Sequence, residues 1–268
     1  MDSSRGPSDQ LITRRPHIHI SLNPEILKSK LPSVSVIIPA YRDAEALALA
    51  LAATDVSAAN LIVSTAHDDD SLAALRAARP DIVWVDAPRG RAQQMNAGAA
   101  VATGDWLVFL HADTRLSAGW TDAIDSAHRD PRVNAGCFRF ALDSRSPIAR
   151  LIEGGVRARV ALLGLPYGDQ AIFVRRDAFD AIGGYADLPI MEDVDLVQRL
   201  RRTGRLFRSA LPATTSARRW ERDGWVRRTA LHLVLTVLYF CGVPPARLIR
   251  LDPARRPHPP SFGRRTSL

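Results

Sequence analysis

The sequence predicts an α/β protein: a mostly parallel central sheet with helices on both faces, followed by an apolar helix and a basic tail. Apolar, strand-like runs alternate with helix-like runs through residues 33–225, a pattern typical of parallel sheets covered by helices. The chain has 268 residues, 46% of them hydrophobic, which is enough to bury one large core. Polar residues cluster directly after several strand-like runs, where open α/β sheets bind their ligands.

The expected strands are short runs rich in Val, Ile and aromatic residues, bounded by polar or turn-forming residues. The first, in SVSVIIPA, ends at Pro39 and Ala40, and the fourth, WLVFL, is apolar throughout. In chain order the expected strands span residues 33–40, 60–65, 81–86, 106–110, 136–142, 170–176 and 205–210.

The runs between these strands are rich in Ala and Leu, or mix charged and apolar residues at helical spacing. One of them, residues 91–102, stops before Gly104, and glycine commonly ends helices. In chain order the expected helices span residues 43–54, 71–78, 91–102, 117–128, 148–163, 193–202 and 225–241.

Composition divides the chain into three regions. Residues 1–32 predict a flexible leader, because they are polar, contain proline and lack the apolar core of a secretory signal. Residues 33–225 hold the strand and helix pattern, and residues 226–268 hold the apolar helix and the arginine-rich tail. Cys137 and Cys241 lie far apart and match no metal-site spacing, so we expect buried thiols in a reducing, cytoplasmic compartment.

The positive charge is concentrated at one end of the chain. Residues 218–268 contain eleven arginines and three acidic residues, which accounts for the whole net charge of +8. The rest of the chain is electrically balanced, so a nucleic-acid-binding protein that uses its whole surface is not expected. The tail alone could meet nucleic acid, anionic lipid or only solvent.

Acidic residues follow the expected strands at the edge where a ligand would bind. Asp43 follows the first strand, Asp70 lies in the cluster after the second, and Asp113 ends the sequence His111-Ala112-Asp113 after the fourth. Mn²⁺ and Mg²⁺ bind one or two carboxylates together with substrate phosphates, so Asp113 is a candidate ligand for such an ion. Alternatives stay open: Asp113 could cap the following turn, and His111 could be a second ligand or a packed strand-end histidine.

A second acidic pair, Glu192-Asp193, begins an expected helix. Acids in the first turn interact favourably with the helix dipole, by about 0.3–1 kcal/mol each, so a structural role would explain the pair. Asp195 and Arg199 are four residues apart and predict a surface ion pair. Upstream, Asp169 lies in the turn GLPYGDQ, which could bind an acceptor or only cap itself.

Three segments resemble family-2 glycosyltransferases with the GT-A, Rossmann-like fold: VSVIIPAYRDAEAL, RGRAQQMNAGAAVATGDWLVFLHADTRL and YGDQAIFVRRDAFDAIGGYADLPIMEDVDLVQRLRRTGRL. They follow the family's order and spacing, and the resemblance covers roughly residues 33–225. It is nearest to a bacterial subgroup described as selenodomain-associated glycosyltransferases. The resemblance implies a metal-dependent, inverting enzyme that moves a sugar from a nucleotide-diphosphate donor to an acceptor hydroxyl.

The resemblance also implies roles for single residues. Asp113 and His111 match the family's metal-binding Asp-X-Asp, with His in place of the first Asp, and would hold Mn²⁺ or Mg²⁺. Of the pair Glu192-Asp193, Asp193 matches the catalytic base. The remaining matched positions would contact the nucleotide, the diphosphate or the acceptor, and they comprise Asp43, Arg91, Asn96, Gly98, Arg219 and Trp220.

One position departs from the family pattern. Thr65 stands where the family usually has an aspartate that contacts the nucleobase, with Asp68 and Asp70 close behind. Asp70 is therefore the candidate for this contact, and the identity of the nucleobase is not implied.

Two other functions compete with the transferase. A nucleotidyltransferase would also use a metal ion and a diphosphate, but it normally carries a Gly-rich phosphate loop after the first strand, and PAYRDAEAL has none. A non-catalytic membrane-binding or nucleic-acid-binding module would depend on the basic tail instead.

The C-terminal apolar helix, in WVRRTALHLVLTVLYFCGV, is shorter than the roughly 20 apolar residues that span a bilayer. Arg228, His232, Thr236 and Tyr239 form a polar stripe at helical spacing. The helix could pack on the core, pair with a second copy in a homodimer, or lie on an anionic membrane. In the last case the protein would be peripheral at the inner face of the membrane, and its acceptor would be lipid-linked or membrane-proximal.

Overall fold

The computed structural model describes residues 31–55 and 59–252. Nearly all of the expected leader, and the tail from residue 253 onward, lie outside these residues. The strands, in chain order, are β1 (Val34–Ala40), β2 (Ala59–Ala66), β3 (Val83–Ala87), β4 (Trp106–Phe109), β5 (Thr114–Leu116), β6 (Val133–Asp143), β7 (Ile172–Arg175) and β8 (Arg205–Ser216). They form an eight-stranded sheet of order β3-β2-β1-β4-β7-β6-β8-β5.

The sheet is mostly parallel, as expected, but its second half is mixed. Strands β3, β2, β1 and β4 run parallel to one another, and β6 runs parallel to β8. The antiparallel pairs arise where β7 returns between β4 and β6, and where β5 lies along β8. The carboxyl ends of β1, β2, β3 and β4 therefore meet at one edge of the sheet, which is the edge the sequence marks with polar residues.

Ten α-helices connect and cover these strands within the described residues. In chain order they are α1 (Ala44–Ala53), α2 (Ala73–Ala78), α3 (Arg91–Val101), α4 (Trp120–His128), α5 (Pro147–Leu163), α6 (Arg176–Ala181), α7 (Glu192–Leu200), α8 (Arg218–Asp223), α9 (Trp225–Phe240) and α10 (Pro245–Leu248).

The core lies on both faces of the sheet because successive strand residues point to opposite sides. Along β1, Val36 and Ile38 pack with Leu47 of α1 on one face, whereas Ile37 packs with Met95 of α3 on the other. All five of these side chains are fully or nearly fully buried. The prediction of helices on both faces is confirmed.

Several boundaries predicted from the sequence are wrong. The last strand was expected to end at residue 210, but β8 has 12 residues and continues to Ser216 past Pro212. β5 has only three residues and α8 only six, too few for either to show a periodic pattern. The helix expected from residue 71 begins with a 3₁₀ turn, Asp70–Leu72, before α2.

The two cysteines differ, contrary to expectation. Cys137 is buried in β6, and burial raises the pKa of its thiol to about 12. Cys241 is exposed directly after α9. The prediction of a buried thiol is therefore wrong for Cys241, because the helix that carries it turns an apolar side towards solvent.

The polar stripe expected on α9 faces the protein. Arg228 and Thr236 are buried, as is Leu235 beside them, whereas Leu233 and Val237 are exposed. None of the helices in residues 31–55 and 59–252 has the length and apolar character required to cross a membrane.

Candidate active site

Asp113 lies in the turn between β4 and β5, at the carboxyl edge of the sheet. Leu110, at the end of β4, donates its backbone N–H to Ile37 of β1, and Thr114 donates to the His111 carbonyl at 3.0 Å, which closes the turn. The Asp113 carbonyl accepts a hydrogen bond from the Ser216 backbone N–H at 3.0 Å, which joins the turn to the end of β8. Only 6% of the Asp113 side chain is exposed, so the carboxylate is held in one place.

Two arginines from the start of α8 lie against this carboxylate. Arg219 Nη2 is 3.5 Å from Asp113 Oδ2, and Arg218 Nη2 is 3.9 Å from the same atom. Arg218 also forms an ion pair with Asp43, which raises the pKa of Arg218, while burial lowers the pKa of Arg219. The sequence pattern indicates Arg219 but not Arg218, although the two are adjacent in the chain.

Arg91 connects the turn that carries His111 and Asp113 to the acidic pair on α7. Its Nε is 3.2 Å from Glu192 Oε1, and its Nη1 is 3.2 Å from His111 Nε2. Burial lowers the pKa of Arg91, but Glu192, Asp193 and Asp113 together raise it, and the net direction is upward. Arg91 is thus the cation to which the acids of both predicted clusters are coupled.

His111 is neutral in this environment. Burial, together with the positive charges of Arg91 and Arg219, lowers its pKa to about 3, against an opposing contribution from Asp193. Because arginine can only donate, the contact with Arg91 uses the Nε2 lone pair of the imidazole. This geometry favours the packed strand-end histidine over a second metal ligand at Nε2.

Glu192 and Asp193 begin α7 after a strained residue. Met191 adopts a left-handed conformation, with φ of 67°, which is unusual for a residue other than glycine and is found most often near functional sites. Glu192 is fully buried, and burial raises the pKa of its carboxyl, with a further contribution from Asp193. A buried acid paired with Arg91 is suited to hold that arginine in place.

The turn at residues 164–170 holds Asp193. The Gly168 N–H donates to Asp193 Oδ2 at 2.6 Å, and the Val194 N–H donates to Oδ1 at 2.8 Å. A Cβ atom at Gly168 would lie 2.6 Å from His111 Nε2 and 3.3 Å from Asp193 Oδ2. Only glycine therefore permits this close approach of the turn to both predicted functional side chains.

Asp169 also has a buried carboxylate oxygen in this site. No donor among the described residues lies within hydrogen-bonding range of its buried Oδ1. Burial raises the pKa of Asp169 to about 6, with added contributions from Asp193 and Asp113 included in that value, against the opposing charges of Arg159 and Arg91. The carboxyl is therefore electrostatically coupled to the same acids that surround Arg91.

Other residues selected from the sequence have structural contacts. Asn96 exchanges two hydrogen bonds with the Tyr185 backbone, at 2.8 and 2.9 Å. Gly98 lets α3 approach the sheet, because a Cβ there would lie 2.5 Å from the Ile37 side chain. Trp220 is buried, and its ring packs 6.1 Å from that of Phe140. Their predicted ligand contacts stay predictions.

The predicted nucleobase region has a different polar group from the one expected. Asp70 is exposed in a 3₁₀ turn, and its neighbour Asp69 accepts a hydrogen bond from the Arg42 N–H at 2.6 Å. The Thr65 hydroxyl donates to Asp86 of β3 at 2.9 Å. A carboxylate thus reaches the position of Thr65 from the adjacent strand, which the sequence alone did not indicate.

The side chains present fit a metal ion bound jointly by the protein and a phosphate ligand. They do not fit a metal ion bound by protein side chains alone. Within the described part of the chain, no group of three or more His, Cys, Asp or Glu side chains is arranged to hold a metal ion. Asp113 supplies one rigid carboxylate, and hard divalent ions often use one or two carboxylates with phosphate oxygens completing the shell.

Comparisons with known proteins agree with this arrangement. Acids and arginines gathered at the strand ends of an α/β sheet are typical of enzymes that bind phosphorylated ligands. Residues 35–183, more than half of the chain, match the description "Glycosyl transferase family 2". The chain belongs to this enzyme family. No curated protein matches the sequence.

The fold is also found among solved structures. A crystal structure of GalNAc-T7 with UDP, GalNAc and Mn²⁺ superimposes with a TM-score of 0.55 at 13% sequence identity. The match covers 70% of this chain and 44% of that one, so this chain corresponds to less than half of the GalNAc-T7 chain. This likeness confirms the expected GT-A-like fold. The selenodomain-associated subgroup stays a prediction.

Proposed function

We propose that the protein is a metal-dependent, inverting glycosyltransferase that uses a nucleotide-diphosphate sugar. The arrangement of charges around Arg91 carries the proposal. On one side, Asp113 lies within reach of two arginines, and on the other, Asp193 is fixed by the Gly168 N–H at 2.6 Å. A donor phosphate needs positively charged partners, which the arginines beside Asp113 provide. An acceptor hydroxyl needs a group that accepts its proton, which Asp193 provides.

The donor side consists of Asp113, Arg218 and Arg219. Asp113 would hold Mn²⁺ or Mg²⁺ together with the donor diphosphate, and such an ion supplies neutralisation of the charge that builds on the leaving group. Arg218 and Arg219 would turn from Asp113 to the phosphate oxygens, for which arginine is well suited. The UDP and Mn²⁺ in the GalNAc-T7 crystal structure support a nucleotide donor and a divalent ion here.

The acceptor side consists of Asp193 and the turn at residues 164–170. The acceptor oxygen would attack the anomeric carbon from the face opposite the diphosphate, while the bond from that carbon to the phosphate oxygen breaks. Asp193 would accept the hydroxyl proton, and attack from the opposite face inverts the anomeric centre. Glu192 would act through Arg91, as a positioning residue, because its carboxyl is buried beside that guanidinium.

The acceptor and the cellular location belong to the same proposal. Cys137 and Cys241 are both free thiols, which fits a reducing cytoplasmic compartment. A lipid-linked or membrane-proximal acceptor would fit the apolar exposed side of α9, whereas nothing in the balanced charge of the remaining surface favours nucleic acid.

A thermal-shift panel tests this function. A panel of nucleotide sugars is measured with and without Mn²⁺, on the wild-type protein, Asp113→Ala and Asp143→Ala. Asp143 is the matched control, because it also pairs with an arginine, Arg115 at 2.9 Å, and its own side chain is 56% exposed.

At about 100 times its dissociation constant, a donor should stabilise the wild-type protein and the Asp143→Ala control by about 2.7 kcal/mol when Mn²⁺ is present. Asp113→Ala should lose this metal-dependent stabilisation. The proposal fails if no donor stabilises the protein with the metal ion, or if Asp113→Ala responds like the control.

A further inference from the structure

The outward side of α9 is apolar along its whole length. Its exposed residues recur every three or four positions, which is one face of a helix. Val226 is 75% exposed and Leu233 64%, so these are large apolar side chains in water. The complete exposed apolar face of α9 consists of Val226, Ala230, Leu233, Val234, Val237 and Phe240.

The apolar face is exposed even though the helix is firmly attached to the protein. On the opposite side Leu235 is fully buried against Met191 and Val194, next to the start of α7. The Thr236 and Tyr167 hydroxyls form a hydrogen bond of 2.5 Å. The helix is thus fixed to the protein by its polar and buried side, and its apolar face is turned outward.

The neighbouring helix α5 has the same character. It contacts α9, and several of its exposed positions are also apolar, with Leu151 76% exposed and Leu162 83% exposed. Ile148 and Leu163 are exposed on the same helix. Two adjoining helices therefore present large apolar side chains to solvent, which single scattered surface residues would not do.

The surroundings of these residues are positively charged. Within residues 144–163 and 224–251 the single acidic residue is Glu153, which is buried and paired with Arg150 at 2.8 Å. The exposed arginines of these two segments are Arg145, Arg150, Arg157, Arg227, Arg247 and Arg250. Four more arginines and no acids follow in the sequence of residues 253–268.

We propose that the apolar face of α9, with the adjoining exposed residues of α5, is a docking surface for an anionic lipid bilayer. Apolar side chains would enter the region between headgroups and acyl chains, and the flanking arginines would meet lipid phosphates. α9 has 16 residues, so it lies on the bilayer and does not cross it.

The charge pattern favours a bilayer over a second copy of the chain. A twofold dimer brings a surface patch against the same patch of its partner. Here that would place arginines opposite arginines with no exposed acid on either helix to pair with them. An anionic bilayer supplies the missing negative charge.

Docking through this face would bring the membrane close to the acceptor side of the cleft. The buried side of α9 contacts Tyr167, the residue before Gly168, and Val194, the residue after Asp193. A helix with its side chains is about 10 Å across, so only that thickness separates the docked face from these contacts.

Vesicle flotation tests the docking surface. The full-length wild-type protein is mixed with phosphatidylcholine vesicles, with and without phosphatidylglycerol. We expect binding to the phosphatidylglycerol vesicles that exceeds binding to phosphatidylcholine alone by about tenfold or more, and that falls with salt. The assay needs neither a donor nor a metal ion, so its result is independent of the proposed transferase activity.

Paired variants show whether α9 is responsible. Leu233→Glu with Val237→Glu should reduce binding by about tenfold or more, whereas Leu49→Glu, at a residue of α1 that is 66% exposed, should bind like the wild-type protein. Each variant changes exposed side chains, and an unchanged melting temperature establishes that it folds. Equal binding by the α9 variant and the Leu49→Glu control would overturn the proposal.

Two further measurements make the test independent of the substitutions. Cys241 follows the apolar face and is exposed, whereas Cys137 is buried, so a polarity-sensitive thiol dye labels Cys241 selectively. We expect a blue shift of its emission with phosphatidylglycerol vesicles, and no shift would contradict docking. Sedimentation of the lipid-free protein should show a monomer. If it shows a dimer, and the double variant Leu233→Glu with Val237→Glu is monomeric, the face binds a second copy of the chain instead of a bilayer.

Discussion

The Asp193 carboxylate accepts two backbone N–H groups and still has lone pairs available for an acceptor proton. Asparagine keeps the shape of the side chain and can still accept hydrogen bonds at the start of α7. It cannot take a proton, so we expect Asp193→Asn to lower turnover by about 10²–10⁴ while donor affinity changes little. Turnover and donor binding measured on the same preparation check this. Normal turnover by the variant would show that Asp193 is not the base and has only a structural role at the start of α7.

Asp169 gives a pH dependence of stability with a defined sign. Burial raises its pKa in the folded protein to about 6, from an ordinary value of 3.8. Between these values the folded protein keeps a proton that the unfolded chain has released, so the free energy of unfolding falls as the pH rises through this range. Above the folded pKa, the wild-type protein bears the full cost of the buried charge.

Asp169→Asn removes that cost. We expect the variant to be more stable than the wild-type protein by about 1–3 kcal/mol near neutral pH, and the difference to vanish below about pH 4. Urea unfolding across this range measures it. Asp143→Asn is a control of opposite sign, because Arg115 lowers the pKa of Asp143 and its charge is stabilising. A difference for Asp169→Asn that does not depend on pH would rule out the titration.

At the scale of elements, α3 joins the carboxyl ends of the neighbouring strands β1 and β2. The buried Gln94 amide donates to the carbonyls of Ala40, at the end of β1, and Ser64, near the end of β2, both at 2.8 Å. Gln94→Met keeps the size of the side chain and removes both hydrogen bonds, so we expect the free energy of unfolding to fall by about 1–3 kcal/mol. Urea unfolding compares it with Gln93→Met, which should change stability by less than about 0.5 kcal/mol, because the Gln93 amide donates to the exposed Asp187 carboxylate.

The local pattern was sufficient to predict the first half of the sheet. Strands β1, β2 and β4 are apolar runs bounded by polar residues, and their periodicity is visible without tertiary information. β5 is too short to form a pattern, and β8 is half-exposed, polar in its second half and interrupted by a register shift against β6. Their structure depends on pairing with distant strands, which a single sequence does not reveal.

The site shows the same division between local and distant information. Asp113 and Asp193 could be selected from sequence because each lies in a recognisable local motif. The ion pair of Arg218 with Asp43 joins residues 175 positions apart, and the approach of Gly168 to His111 depends on a turn contacting a different strand end. Such contacts follow from the folded arrangement, and only an unusual residue type, such as a glycine in an acidic turn, hints at them.

At the scale of the whole molecule, the excess positive charge lies in the last part of the chain, after the strands of the sheet. The eleven arginines of residues 218–268 include Arg218 and Arg219 at the cleft, those flanking α9, and four beyond residue 252. A transferase and a binding module differ in which of these arginines they need. The transferase needs the pair at Asp113, whereas a module built on the tail needs the last four.

Truncation at two positions distinguishes a transferase from a binding module built on the tail. The burial of Leu248 determines the two positions. Leu248 is fully buried with Leu235, so removal of residues 244–268 should cost about 2–5 kcal/mol of stability for loss of a core side chain alone. Removal of residues 253–268 leaves Leu248 in place, and we expect an unchanged melting temperature and unchanged metal-dependent donor binding. Thermal unfolding with and without a donor and Mn²⁺ measures both truncations. If the shorter truncation abolishes donor binding while the protein stays folded, the tail belongs to the donor site and the cleft around Asp113 is insufficient.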